Sequence, residues 1–220
     1  LEALERSRGK RTSKVPTLLQ GQKRRVMVMP FEVSPADHPA HWLGEGLSFV
    51  LYDDLCARPG QRLVSENFVH SALGSDVTTF EEERIATAHQ LGAGYVITGS
   101  LRLNGKDSTS TMVVIEVESN EIIDKRTITG PPESLPQRHV GALQSFEKTL
   151  KLAPIANPRP PSLATLDLQV LEIFTGLAKE ALSDAHGPVR SHLPRQLEQL
   201  LNAYPDHHGL MRHRAMLILR

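Results

Sequence analysis

Residues 25–55, RVMVMPFEVSPADHPAHWLGEGLSFVLYDDL, read as a buried strand, a proline-bounded loop and a long helix. Val26, Met27, Val28 and Met29 form a short, continuously apolar run, the pattern of a strand covered on both faces. Pro30 stops it, because proline brings no N–H to a ladder. A helix is predicted from about Ala40 to Arg58. Leu43, Leu47, Val50 and Leu51 share one side of it, while Trp42, Phe49 and Cys56 share another. The first stripe belongs on a sheet. The second needs separate cover, either from a partner protein or from the chain's own C-terminal helices. A partner would make Trp42, Phe49 and Tyr52 the candidate partner-binding residues.

Working outward, Pro59-Gly60 is turn punctuation, Arg62–Ser65 reads as a short second strand and Glu66–Leu73 as a short helix. Thr79 with Glu82 matches a capping box, so a helix begins near Phe80, with Phe80, Ile85, Ala88 and Leu91 facing inward and Gly92 ending it. Three strands follow, Tyr95–Leu103, Thr109–Val117 and Glu121–Thr129. Asn104-Gly105 and Ser119-Asn120 are the tight turns that make them an antiparallel meander. Glu133–Lys151 is predicted helical, with Val140, Leu143, Phe146 and Leu150 spaced to close back on the sheet.

Pro154, Pro158, Pro160 and Pro161 cannot continue that helix, which places a linker at 153–161. Beyond it, Leu166, Val170, Ile173, Leu177 and Ala181 mark one amphipathic helix, Leu193, Leu197, Leu200 and Leu201 a second, and Leu210–Leu219 a third, as in stacked helical hairpins. The expected architecture is an α/β (α+β) mixed-sheet domain at 26–152 with an antiparallel meander. A small, truncated helical repeat-like domain follows at 162–220. Because the chain begins at Leu1, it is read as a segment of something longer.

The chain of 220 residues is formally neutral, but its charge is uneven. Residues 1–25 carry eight Lys/Arg against Glu2 and Glu5, a net +6, and the remainder carries −6. Such an arm is either a solvated linker or a strip for an anionic surface, nucleic acid or a membrane face. The α/β domain itself offers no basic face for nucleic acid. No apolar run approaches the ~18 to 20 residues of a spanning helix. The lone Cys56 excludes an internal disulfide and a multi-cysteine zinc site, and suits either a reducing or an oxidising compartment. Localisation stays open, with a periplasmic setting ahead of a cytoplasmic one.

Catalytic and cofactor motifs fail on spacing. Gly99–Lys106, GSLRLNGK, has one residue too many between its glycines for a P-loop, Asp107 in place of Ser or Thr, and no helix after it. Gly92, Gly94 and Gly99 lack dinucleotide-fingerprint spacing. Of ten histidines, five (His186, His192, His207, His208, His213) fall in the last 35 residues, without metal-ligand spacing, and are read as solvated. Cys56, inside a helix stripe, is read as a small apolar group. Asp53-Asp54 and Glu81-Glu82-Glu83 are read as solvated faces or helix-terminal charges, since adjacent carboxylates on a helix diverge. No catalytic, cofactor-binding or metal residue is assigned, and no cofactor is expected.

Residues 25–129 resemble the TolB N-terminal-like domain of bacterial multidomain regulators. The resemblance is carried by RVMVMPFE, WLGEGLSFVLYDDL, RLVSENFV and ERIATAHQLGAGYVITGSLRLNG, followed by TMVVIEVESNEII. It implies a mixed-sheet domain without catalytic residues, acting as a sensor or docking element and joined to tetratricopeptide-like helices. The expectation is a non-enzymatic protein-interaction or sensor module of a bacterial signalling or envelope protein, with protein partners. The alternative is a structural subunit of a cell-envelope secretion or assembly complex.

Overall fold

A computed structural model describes residues 25–73, 81–154, 162–183 and 193–212. The predicted capping box at Thr79, most of the basic arm and most of the third C-terminal helix lie outside the described residues.

The five-stranded mixed sheet is built on β3 (Tyr95–Asn104), which has parallel neighbours along one edge and an antiparallel neighbour along the other. One edge of β3 carries β1 (Val26–Val28) and β2 (Glu32–Ser34) end to end, both parallel to it. Pro30 explains the break between them. It has no N–H to give to the ladder, and the next N–H, from Phe31, goes instead to the Gly44 carbonyl at 3.1 Å. Strand β2 falls in the stretch that the prolines mark as loop. Along the other edge, β4 (Asp107–Glu116) and β5 (Glu121–Gly130) complete the expected antiparallel meander. Gly105 turns the first hairpin at φ +60° and Asn120 the second at φ +56°. The rejected phosphate loop is thus a strand and its hairpin. Arg62–Ser65 forms no strand, only a bridge from Leu63 to Val26.

Both faces of the sheet are covered. On one, Val28, Ile97, Leu101 and Val114 pack on Leu43, Leu47 and Leu51 of α1 (Leu43–Cys56), and on Leu135 and Leu143 of α4 (Leu135–Ser145) and Leu150 of α5 (Glu147–Leu150). On the other, Met27, Met29, Val96 and Ile115 pack on Val69 of α2 (Glu66–Leu73) and Ala88 of α3 (Glu81–Gln90). The predicted Glu133–Lys151 helix is real but divides at Phe146, where the backbone leaves helical geometry (φ −88°, ψ 0°).

The segment beyond the prolines holds α6 (Leu168–Ser183) and α7 (Leu193–Ala203), followed by a helical turn at 208–212. It shares a core with α1: Leu171, Phe174, Ala178, Leu197 and Leu210 are buried together with Phe49, Val50 and Val140. Two helices and a turn do not establish a tetratricopeptide array or a separate helical domain. The stripe predicted for α6 is borne out in part, since Leu166 and Leu177 are buried and Val170 packs on the core while Ile173 is exposed, and a second stripe lies deeper. Leu171, Phe174, Ala178 and Leu182 line the core, one step round the helix from Val170, Ile173, Leu177 and Ala181.

Candidate interaction surface

The Trp42–Phe49–Tyr52 side of α1 receives cover from the chain itself. Phe49 has no exposed surface: it meets the Phe174 ring edge-on at 5.9 Å and stacks on His70 at 5.5 Å. Such ring pairs are worth about 1 kcal/mol beyond the area they bury. Tyr52 is buried, and Trp42 is half-buried against the C-terminal helices. Gly46 makes that approach possible, since a Cβ there would come 3.0 Å from both the Trp42 ring and Thr175 Oγ1. Of the two covers that the sequence allows for this stripe, the described structure supplies the internal one.

Beside this stripe lies a buried polar cluster where the sequence reading placed solvated carboxylates. Asp53 and Asp54 are both buried. Asp53 Oδ2 accepts the Leu163 N–H at 3.0 Å, and Oδ1 accepts Arg212 Nε and Nη2 at 2.8 and 2.6 Å. Asp54 Oδ2 accepts Arg58 Nη2 at 3.1 Å, and Arg58 Nη1 continues to Glu147 Oε1 at 2.9 Å and to the Ala153 carbonyl at 3.1 Å. Pairing explains the burial, because a carboxylate removed from water needs charged or N–H donors. Lys179 adds a bond to Glu45 at 2.9 Å, so three ion pairs clamp α1 and Arg58 just beyond its end to later parts of the chain.

Titratable groups in and around this cluster follow their surroundings. Burial, then the Asp53 charge, raises Glu66 well above the carboxyl range, and burial lowers His70 and His207. His207 is therefore not the solvated residue expected; His208 is exposed, and His186, His192 and His213 lie outside the described residues. Cys56 is exposed by area rather than buried in an apolar stripe. Desolvation of its sulfur, then the Glu66 charge, nevertheless pushes the thiol up to about 12. Such a thiol carries almost no thiolate at neutral pH and is a poor nucleophile. On the far side of α1, His139 is buried. Its Nε2 lies 2.9 Å from Ser110 Oγ, its Nδ1 2.8 Å from the Leu135 carbonyl, and desolvation lowers it to about 4. Among the described residues, no group of three or more His, Cys, Asp or Glu is placed to hold a metal ion. No helix among them is long and apolar enough to cross a membrane.

Concave features open to solvent among the described residues include two of note. One, of about 210 Å³, lies on the sheet face beside α3. Arg84 anchors its polar end, giving Nη1 to Glu32 Oε1 at 2.9 Å and Nη2 to the Pro30 carbonyl and Thr98 Oγ1 at 2.6 and 2.7 Å. These bonds occupy the guanidinium in holding β2 against α3. The other is a groove of about 490 Å³ between α6 and α7, lined by Ile173, Gly176, Leu177, Leu200 and Ala203, with Gln196 and Gln199 at its side. Ile173 leaves 51% of its surface exposed, and a Cβ on Gly176 would meet nothing within 4 Å. Of the predicted α6 stripe, Leu177 is buried and Ile173 is exposed. The signal that α6 has two apolar stripes was present in Leu171, Phe174 and Ala178 one step away.

No family model matches this chain, and no curated protein matches it. Solved structures resemble it in fold. The LpoB C-terminal domain from Salmonella enterica is 18% identical, covers 49% of this chain and 83% of its own, and gives a TM-score of 0.39. Lipoprotein GNA1162 from Neisseria meningitidis is 11% identical, covers 57% and 96%, and gives 0.42. TolB from Acinetobacter baumannii is 13% identical, covers 57% of this chain but 28% of its own, and gives 0.41.

Proposed function

We propose that this chain is a non-enzymatic protein-interaction module of a bacterial signalling or envelope protein, gripping an apolar segment of a partner protein in the groove between α6 and α7. The observation that carries this reading is the half-exposed Ile173 beside Leu177, Leu200 and the empty space over Gly176. Two adjacent helices present a trough that fits an amphipathic helix from a partner, and the amides of Gln196 and Gln199 supply a polar rim. The bacterial setting comes from the sequence resemblance to TolB N-terminal-like domains. The basic arm at 1–25 adds proximity to an anionic membrane as a secondary contact. Trp42, Phe49 and Tyr52 enter this reading as the support beneath α6. A partner identified by crosslinking is titrated against the wild type and Ile173→Glu. A drop of about 2 kcal/mol, roughly thirtyfold in Kd, is expected with unchanged folding; equal affinities would refute the groove.

A further inference from the structure

Among the described residues, strand β5 forms an edge of the sheet, ten residues long and paired with β4 alone. Its antiparallel register sets Lys125 opposite Val113, Thr127 opposite Thr111 and Thr129 opposite Thr109. Alternation along the ladder then aims the N–H and C=O groups of Lys125, Thr127 and Thr129 away from β4. A row of outward groups is a template for another strand. Ile122 and Ile123, 55% and 38% exposed at one end of β5, add apolar, β-branched surface that favours such pairing.

Three of these six outward groups, at the two ends of the row, are already engaged. The Lys125 N–H donates to Asp124 Oδ1 at 2.8 Å, the Lys125 carbonyl accepts Arg126 Nη1 at 2.8 Å, and the Thr129 carbonyl accepts Arg138 Nη1. These side chains are braced from behind. Arg126 Nε donates to Ser145 Oγ on α4 at 2.8 Å, its Nη1 lies 2.9 Å from Asp124 Oδ1, and its guanidinium carbon lies 5.6 Å from the Phe146 ring centroid. The second Asp124 oxygen accepts from Thr149 Oγ1 on α5 at 3.0 Å. A register shift between Val114 and Ile115 also leaves Ile123 as an extra residue, and a bulge of this kind twists the edge.

We infer that Asp124, Arg126 and Arg138 close the β5 edge to strand addition, so that neither a second copy of this chain nor an extended partner segment pairs along residues 124–129. An incoming strand would have to displace the charge-assisted hydrogen bonds that two arginines make to the Lys125 and Thr129 carbonyls.

The test uses the whole chain and a fluorescent synthetic peptide copying residues 121–130, EIIDKRTITG. The wild type is expected to sediment as one species at all concentrations and to leave the peptide free. Arg126→Ala with Arg138→Ala is expected to bind the peptide and to self-associate at least about tenfold more tightly. Arg126→Lys with Arg138→Lys, which retains charge and reach, is expected to behave as wild type. A folded double-alanine protein that ignores the peptide and keeps the wild-type mass overturns the inference. Should the double-alanine protein not fold, amide exchange of the wild type decides. Slow exchange at the Lys125 N–H supports the guard, and exchange as fast as in an open loop overturns it.

Discussion

Asp53 holds Arg212 from 159 positions further along the chain, its Oδ1 accepting Nε at 2.8 Å and Nη2 at 2.6 Å, with 1% of the aspartate exposed. Because Oδ2 takes the Leu163 N–H, one carboxylate joins α1 to both ends of the described C-terminal segment.

Removing either partner should therefore cost more than a surface pair. Arg212→Ala leaves a buried carboxylate with a single N–H donor, and about 3 kcal/mol of stability should be lost. Asp53→Asn should lose less, because the amide oxygen can still accept. Urea unfolding of the two single variants and the double variant measures the coupling. Additive losses would mean that the two groups do not interact.

His139 gives a pH dependence of definite sign. Its folded pKa, lowered to about 4 by desolvation, lies below the ordinary value, so the unfolded chain binds more protons. The stability it contributes is complete above the unfolded value of about 6.5 and is lost as pH falls toward 4. The full effect is about 3 kcal/mol. His139→Gln should flatten the decline in unfolding midpoint between pH 7 and 4.5 relative to the wild type. An equally steep decline in the variant would assign the acid sensitivity elsewhere.

Glu66 has the opposite sign. Its carboxyl is raised by burial and by Asp53, so the folded state holds the proton more tightly. Its contribution is complete below the ordinary carboxyl range and is lost as pH rises through the raised folded value. Glu66→Gln should match the wild type in acid and equal or exceed it at pH 7, read by thermal unfolding. A larger loss at pH 7 than in acid would show that the charged form supports the fold.

Gly99 sits in the middle of β3 where a Cβ would collide with the Thr111 carbonyl of β4. Gly99→Ala should force the strands apart and destabilise by about 3 kcal/mol, seen as a lower urea midpoint with loss of near-ultraviolet signal. An unchanged midpoint would contradict the close β3–β4 approach.

Strands β3, β4 and β5 were legible because alternation and the Asn104-Gly105 turn act locally, within one hairpin. Strand β2 was not, because three residues between prolines carry no period, and only the β3 edge gives them partners. The misplacement of Asp53 and Asp54 has a similar origin. The Asp53 partners Leu163 and Arg212 are remote in sequence, and the Asp54 partner Arg58, four residues on, has the spacing of an ordinary exposed helix pair, so nothing near the two aspartates signals burial. Phe49 was correctly marked as needing cover, but periodicity on one helix does not say whether that cover is internal. The α6–α7 groove was hidden for a related reason: two apolar stripes one step apart on α6 look the same until a neighbouring helix takes one of them.

The central claim is that α6 and α7 hold a partner while the sheet only supports them. It is tested most directly by placing a photo-crosslinking amino acid at Gln199, beside the groove, and separately at Thr127 on exposed β5, in living cells. The account predicts one defined protein adduct from Gln199, lost when Ile173→Glu is added, and none from Thr127. An adduct from Thr127 alone, or one from Gln199 that survives Ile173→Glu, would contradict it.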